Sequence, residues 1–443
     1  MQQINQEHPE YAADKAMWRK YRHLYAGGES MRACAAEYLT PRNKEPGDVY
    51  HERLSRVFYE NYVGSIIDWY AATLMRREPV LSYEGNNDTG KSFFATFSDD
   101  CDLKGTTLTD FFRRQFVELL ISGKSYVVVD FPRTGPAANR AEEDALGQSR
   151  AFLADYSAEE VINWSYDSSG QLDWVVLRNT WMQQARVTDT SRVKETRWVY
   201  YDRETFQIYQ AGKGEKQGDE PRLISEGRHG LAAQGRVPLF QLQITDGLWL
   251  MNKAALLQLE HFNKSNALSW ALTMGLFATP VVYSDREWNQ IVGESYYIQL
   301  GPDDRFGWTE PEGKVFQIAA DNLERLKDEI YRVCYLMNQA ASGGSTQITS
   351  ALSKQRDYSV TQEVLRAYGD AVKHTMKQVL GAIQTARQDE LAIDVSGLDE
   401  FDIGDFSSEL DDAKKLMDMG IQSVTLQKQL LATIYLAHMK MLH

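Results

Sequence analysis

Cysteine is scarce. The three in this 443-residue chain, Cys34, Cys101 and Cys334, stand far apart, are odd in number and form no CxxC. That excludes a disulfide scaffold and suits a reducing compartment. Positive charge is short as well: 48 Lys and Arg against 62 Asp and Glu give a formal net charge of −14. A protein that wraps nucleic acid by neutralising phosphates needs clustered cations, so that class is set aside. A protein past which DNA merely slides is not. Long apolar runs are missing too. The most apolar stretch, Leu268 to Tyr283, is too short to span a bilayer and is broken by Gly275 and Pro280, so it reads as core or interface and no membrane partner is expected. Met1 to Asn5 shows no basic segment leading into an apolar one, so no signal peptide is expected. The eight histidines are scattered, without HxxxH or Cys/His clustering, and no GxSxG occurs. Between Asp389 and Asp412 lie ten acids and no Lys or Arg. They lack the oxygen ladder and glycine of an EF-hand and read as a solvated acidic face. No metal, cofactor or catalytic residue is therefore expected.

What is present is ordinary for a folded protein, with 43% hydrophobic and 25% charged residues and enough length for two or three domains. The organising stretch runs from Thr245 to Ala386. Its first helix is read over Leu248 to Met274, followed by an insert with Pro280, Pro302 and Pro311 and short alternating runs such as Ser295 to Leu300. A second helix is read as opening at Asp321, with Glu324 three residues on as a capping box. Leu323, Leu326, Ile330, Val333 and Met337 form one apolar stripe on it, with a charged opposite face. Ser342 to Ser345 breaks the helix, and the pattern resumes over Val364, Tyr368, Val372, Val379 and Ile383. Helices of roughly 30–40 Å with such narrow stripes suit a rod packed against neighbouring copies. Upstream, helices are read over Tyr11 to Tyr38 with an interruption at Gly27-Gly28, from about Val49 to Pro79, and from Asp110 to Ile121. Tyr126 to Asp130 reads as a buried strand, Thr134 to Arg150 as an exposed loop, and Ala151 to Gln243 as mainly β. Trp18, Trp69, Trp164, Trp174 and Trp181 sit in apolar patterns and read as core rather than base-stacking platforms.

One motif carries chemistry. Gly85-Asn86-Asn87-Asp88-Thr89-Gly90-Lys91-Ser92 fits GxxxxGK[ST], and Val127-Val128-Val129-Asp130 fits the strand-plus-Asp that holds magnesium in P-loop enzymes. The context opposes it. A P-loop leaves a buried strand and enters a helix facing the phosphates. Here Arg76 to Glu84 is short, polar and proline-bearing, and no repeated βα units follow.

Several ordered segments resemble the portal proteins of tailed bacteriophages. They are Tyr38-Leu39-Thr40-Pro41-Arg42 with Tyr50, Glu52-Arg53-Leu54 and Phe58 after it, and Leu74 to Pro79. Further on come Leu120 to Pro132, Val237-Pro238-Leu239-Phe240 and Gly420 to Thr425. The resemblance covers about Tyr38 to Leu431. It implies an α+β, portal-type fold with a helical stem, a small α/β clip, a mixed α/β wing and a short helical C-terminal crown. The implied divisions are 1–247 for the N-terminal wing region, 248–276 and 319–341 for the stem helices, and 277–318 for the clip. The remainder divides into 342–360 for the tunnel-loop region, 361–390 for a long wing helix, and 391–443 for a wing strand and crown helices. The family forms rings of about twelve copies at one capsid vertex, through which double-stranded DNA is packaged and ejected without sequence-specific binding. Implied partners are the terminase large subunit, a neck or adaptor protein, and the major capsid and scaffolding proteins. The resemblance points to Gln347, Lys354 and Arg356 as channel residues, and to Asp285, Glu287, Asp303, Asp304 and Arg305 as the motor- and neck-docking residues of the clip. It also implies residence in the virion, with assembly in the host cytoplasm. Two other readings stand beside it: a nucleotide hydrolase such as a packaging ATPase, on Gly85 to Ser92, and another virion structural protein.

Overall fold

The computed structural model describes residues 4–132, 150–184, 192–211, 221–275, 279–283, 303, 305–309, 313–336, 351–399 and 401. Its centre is a helix whose ends are written in the local sequence. Thr107 accepts the Asp110 N–H at 3.1 Å, and Gly123, left-handed at φ 79°, donates its N–H to the Leu119 carbonyl. Only glycine suits that second position. Besides the backbone angle, a Cβ there would lie 2.9 Å from the Trp249 ring. Between these caps Phe111, Phe112, Phe116, Leu119 and Leu120 are wholly buried.

Five helices precede or flank it: α1 (Pro9–Ala26), α2 (Gly28–Ala33), α3 (Gly47–Ser55), α4 (Tyr62–Leu74) and, after strand β1 (Val80–Glu84), α5 (Asp88–Asp99). The central helix is α6 (Leu108–Ser122). Strands β2 (Lys124–Asp130), β3 (Phe152–Ser157), β4 (Val161–Tyr166), β5 (Leu172–Gln183), β6 (Val193–Asp202), β7 (Thr205–Gln210), β8 (Arg222–Arg228) and β9 (Leu239–Gln243) follow. Then come α7 (Leu250–Gly275), β10 (Thr279–Tyr283), β11 (Arg305–Thr309), α8 (Gly313–Val333), α9 (Ala351–Arg387) and β12 (Ala392–Ser396).

All described strand pairs are antiparallel. The order β3-β2-β9 makes one sheet and the meander β4-β5-β6-β7-β8 a second, while β1 pairs β12 and β10 pairs β11. Period-two alternation gives the five-stranded sheet two buried faces. Val175 and Val199 face the three-stranded sheet, while Val176 and Trp198 face α1 through Tyr11 and Trp18. The main core joins α4, α6, α7 and α9. Along α9, Leu365, Tyr368, Val372, Met376, Val379 and Ile383 are buried at helical spacing. Tyr368 stacks edge-on with Tyr70 of α4 at 5.6 Å, and the Tyr70 hydroxyl donates to the Cys334 carbonyl at 2.7 Å.

Four sequence expectations are corrected. The helix from Val49 to Pro79 is two helices, α3 and α4. Phe58 keeps the spacing but lies in the break, where its N–H and carbonyl bond to the Asn266 amide and Asn61 starts α4 afresh. Asp321 does not open the second long helix. It lies inside α8, accepting from Gln317 one turn earlier, and α8 begins at Gly313, within the stretch read as clip. The long helix α9 begins at Ala351, so 351–360 is helical rather than loop. The acidic run is not wholly solvated. Asp389 is buried in an ion pair with Arg387 at 2.8 Å, and the Arg387 guanidinium sits 3.6 Å over the Phe93 ring. The expected loop 134–149, the run 295–300, the break at 342–345 and the crown helices lie outside the described residues.

Candidate functional site

The P-loop look-alike can be judged from its own geometry. A short strand, β1, does enter the motif and a helix, α5, does leave it, which the proline-bearing approach did not suggest. Yet β1 is half-exposed, and only Gly85, Asn86 and Asn87 separate it from α5. The donors a phosphate would need are engaged: the Gly90 N–H donates to Asn87 Oδ1 at 2.9 Å and the Lys91 N–H to the Asn87 carbonyl at 3.1 Å. The inner side of the turn is filled. A Cβ at Gly85 would lie 2.8 Å from the Glu390 carbonyl oxygen, and one at Gly90 would lie 2.7 Å from Leu391 Cδ1. Asp130 belongs to a different sheet, where its carboxylate accepts from the Phe131 N–H and the Tyr201 hydroxyl. The motif therefore has neither a cradle for a phosphate nor its acidic partner beside it.

The feature that stands out instead is a helical hairpin. Lys253 near the start of α7 bonds Tyr335 just after α8, and Lys264 bonds Asn322 at 2.9 Å, so the two helices run antiparallel. They span roughly 39 and 32 Å at 1.5 Å per residue. The base of the hairpin is sunk in the body. Met251, Ala254, Ala255, Phe262 and Ile330 are wholly buried, and Gln258 holds α4 by accepting the Val63 N–H and donating to the Glu60 carbonyl. His261 packs edge-on to Tyr62 at this junction, its Nε2 3.4 Å from the Glu60 carboxylate. Farther out, no described residue of α7 after Asn266 and none of α8 before Leu326 is buried. Apolar side chains are nevertheless there: Val315 is 64% exposed and Ile318 60%, while Leu256 on the outer side of α7 is 70% exposed. The β10–β11 hairpin connects the two helices, with Tyr283 opposite Arg305 at the far end of the ladder.

Of the residues singled out for docking, Asp303 and Arg305 are both exposed and lie at this connecting hairpin. Asp285, Glu287 and Asp304 lie outside the described residues, as does the channel candidate Gln347. Lys354 and Arg356 lie in the first two turns of α9. Among the described residues, no helix is long and apolar enough to cross a membrane. No group of three or more His, Cys, Asp or Glu side chains there could hold a metal ion.

No protein-family model matches the chain, and no curated protein matches it. Solved structures do resemble it. A chain in the neck of an empty GTA particle, computed with C6 symmetry, is 13% identical with a TM-score of 0.44, over 84% of this chain and 90% of that one. A chain in the virion of a native gene transfer agent particle is 13% identical with a TM-score of 0.41, over 90% and 98%. A chain in the neck of a native GTA particle, computed with C12 symmetry, is 12% identical with a TM-score of 0.38, over 90% and 96%.

Proposed function

We propose that this protein is the subunit of a portal ring, the channel at one capsid vertex through which double-stranded DNA is packaged and ejected. The observation that carries the reading is the α7–α8 hairpin. It leaves the core with Leu256, Val315 and Ile318 uncovered, and a helix face of that kind gains by packing on a second copy. Burying three such side chains contributes roughly 3–6 kcal/mol per interface, since each is already partly covered. Contacts that differ on the two sides of a subunit form a ring when the rotation from copy to copy closes, and the portal reading takes that closed case. The ordered sequence segments from Tyr38 onward support the same reading independently of the hairpin.

In this reading α7 and α8 form the stem. The β10–β11 hairpin is the clip, offering Asp303 and Arg305, with Asp285, Glu287 and Asp304, to the packaging motor and later the neck. Gln347, Lys354 and Arg356 border the channel, where one cation per copy repeats into a belt amid a chain of net charge −14. The acidic balance keeps the passing duplex from adhering to the wall.

The test is the assembly state. Purified protein examined by negative-stain microscopy and mass photometry is expected to form rings with a central hole. Light scattering that shows only monomer across wide ranges of protein and salt concentration, with no rings when scaffolding protein is co-expressed, would refute the proposal.

A further inference from the structure

The three-stranded and five-stranded sheets leave part of the gap between them unfilled. Val128, Val175, Leu177 and Val199 close one part of it with apolar contacts. Beside them lies a cavity of about 210 Å³, bordered by Ala154, Tyr156, Asn179, Trp181 and Arg197. The register explains the vacancy. Asn179 on β5 stands directly opposite Arg197 on β6, and alternation puts Arg197 on the same face as Val199 and Tyr201. Polar side chains thus occupy positions where the core pattern would call for apolar ones. Across the gap, Ala154 is too short to fill the space, because packed sheets stand about 10 Å apart.

Two details turn this space into a site. The Arg197 guanidinium lies 5.1 Å from the centre of the Trp181 ring, stacked on an aromatic face. Its Nε is buried and has no hydrogen-bond partner among the described residues. Leaving a buried donor of a fixed cation unmatched is costly, so the arrangement calls for an acceptor. The other charge bordering the cavity is already engaged, since Asp130 accepts from the Phe131 N–H and the Tyr201 hydroxyl.

We propose that this slot binds an organic monocarboxylate with a short apolar body, its carboxylate on the Arg197 guanidinium and the Tyr156 hydroxyl, its body between Trp181 and Ala154. A planar guanidinium matches a carboxylate in shape and charge. Burial pushes the Tyr156 phenol well above its usual range, so it stays protonated and able to donate. The nearby Asp130 carboxylate disfavours a multiply charged anion such as phosphate, and the apolar walls favour a ligand with a hydrocarbon portion. The cavity equals about seven water volumes, room for an acid of about four carbons. The same chemistry could arrive as a free acid or as a glutamate side chain, whose stem and carboxylate are those of propionate.

The experiment uses the full chain with butyrate, a neutral-ended Ala-Glu-Ala peptide and inorganic phosphate as separate probes, read by saturation-transfer NMR and calorimetry. Butyrate is expected to bind at millimolar concentration. Arg197→Met, which keeps the stem on Trp181 and removes the charge, should weaken it about tenfold or more. Thermal melting of the ligand-free protein should not fall on that substitution, which removes the unmatched donor, and Arg197→Lys should retain part of the affinity. Binding of butyrate alone identifies a free acid as the source; binding of both carboxylates identifies a slot open to a protein-borne glutamate. The proposal is overturned if neither carboxylate binds, if Arg197→Met binds as well as the parent, or if phosphate competes as tightly as butyrate.

Discussion

Two glycines on one helix should respond oppositely to the same substitution. Gly369 and Gly381 both lie inside α9, where alanine is favoured over glycine by about 0.8–1 kcal/mol. At Gly381 a new Cβ would meet nothing within 4 Å, so Gly381→Ala should realise most of that gain. At Gly369 the new Cβ would lie 2.1 Å from the carbonyl oxygen of Leu398, well inside any contact a methyl group tolerates. That oxygen is backbone, in a buried residue held at φ 57°, and cannot swing aside as a side chain would. The segment carrying it would have to retreat by more than about 1 Å, at the usual cost of overpacking, about 1–3 kcal/mol. Both variants share the propensity gain, so they should differ by the overpacking cost, about 1–3 kcal/mol in denaturant unfolding, with Gly381→Ala above the parent and Gly369→Ala as much as about 2 kcal/mol below it. Hydrogen exchange should locate the damage, because the displaced segment adjoins β12 and its ladder with β1. Equal stability of the two variants, or uniform loosening far from β1 and β12, would refute the reasoning.

Three further outcomes are expected. Lys91→Ala should change stability by no more than about 0.5 kcal/mol, and the protein should show no ATP turnover. Hydrolysis that this substitution abolishes would restore the nucleotide reading. Burial pushes the His261 imidazole below its ordinary pKa, and Glu60 and Glu324 offset only part of this. An unfolded histidine takes up its proton near pH 6.5 and the folded one only at lower pH. The unfolded state thus binds more protons in that window, and stability, full above it, falls as the pH drops through it. Denaturation midpoints between about pH 7.5 and 5 should decline in the parent and decline less in His261→Gln; parallel slopes would contradict this. The Lys354→Ala, Arg356→Ala double variant should build normal particles that package or retain less DNA, and unchanged DNA length and infectivity would remove both residues from the channel.

Legibility followed locality. The α6 helix was readable nearly to its ends, since Thr107, Asp110 and Gly123 all act within one turn of them. The break between α3 and α4 was hidden because its reason lies more than 200 residues away, in the Asn266 amide that bonds both polar groups of Phe58. Asp321 misled for a related reason. An acid three residues before a glutamate marks a helix start only where the preceding residues are not helical, and here Lys314, Gln317, Ala319 and Ala320 favour helix ahead of it. The α8 stripe marked the inner face of the hairpin, since Leu326 and Ile330 are buried, whereas the uncovered Leu256, Val315 and Ile318 lie outside the striped positions, the last two in the stretch read as insert. The point at which the hairpin leaves the body depends on Gln258 meeting Val63 of α4 and Phe262 meeting Tyr59 just before it. The Arg197 slot left one faint trace. Arg197, Val199 and Tyr201 alternate, so an arginine sits where the strand's buried side calls for an apolar residue. Only the pairing of two separate sheets makes that trace a cavity.

The β1–β12 ladder has a consequence for how the chain is made. Ser396 Oγ donates to the Val80 carbonyl across 316 positions of sequence. At translation speeds of about 5–20 residues per second, β1 waits roughly 15–60 s after synthesis before its partner strand exists. Through that interval it is an open edge five residues long, and an open edge invites pairing with whatever strand passes. Its brevity, the proline immediately before it and the Glu84 that ends it shorten the template it offers. Among the described strands, the latest made is thus also the latch that shelters the first.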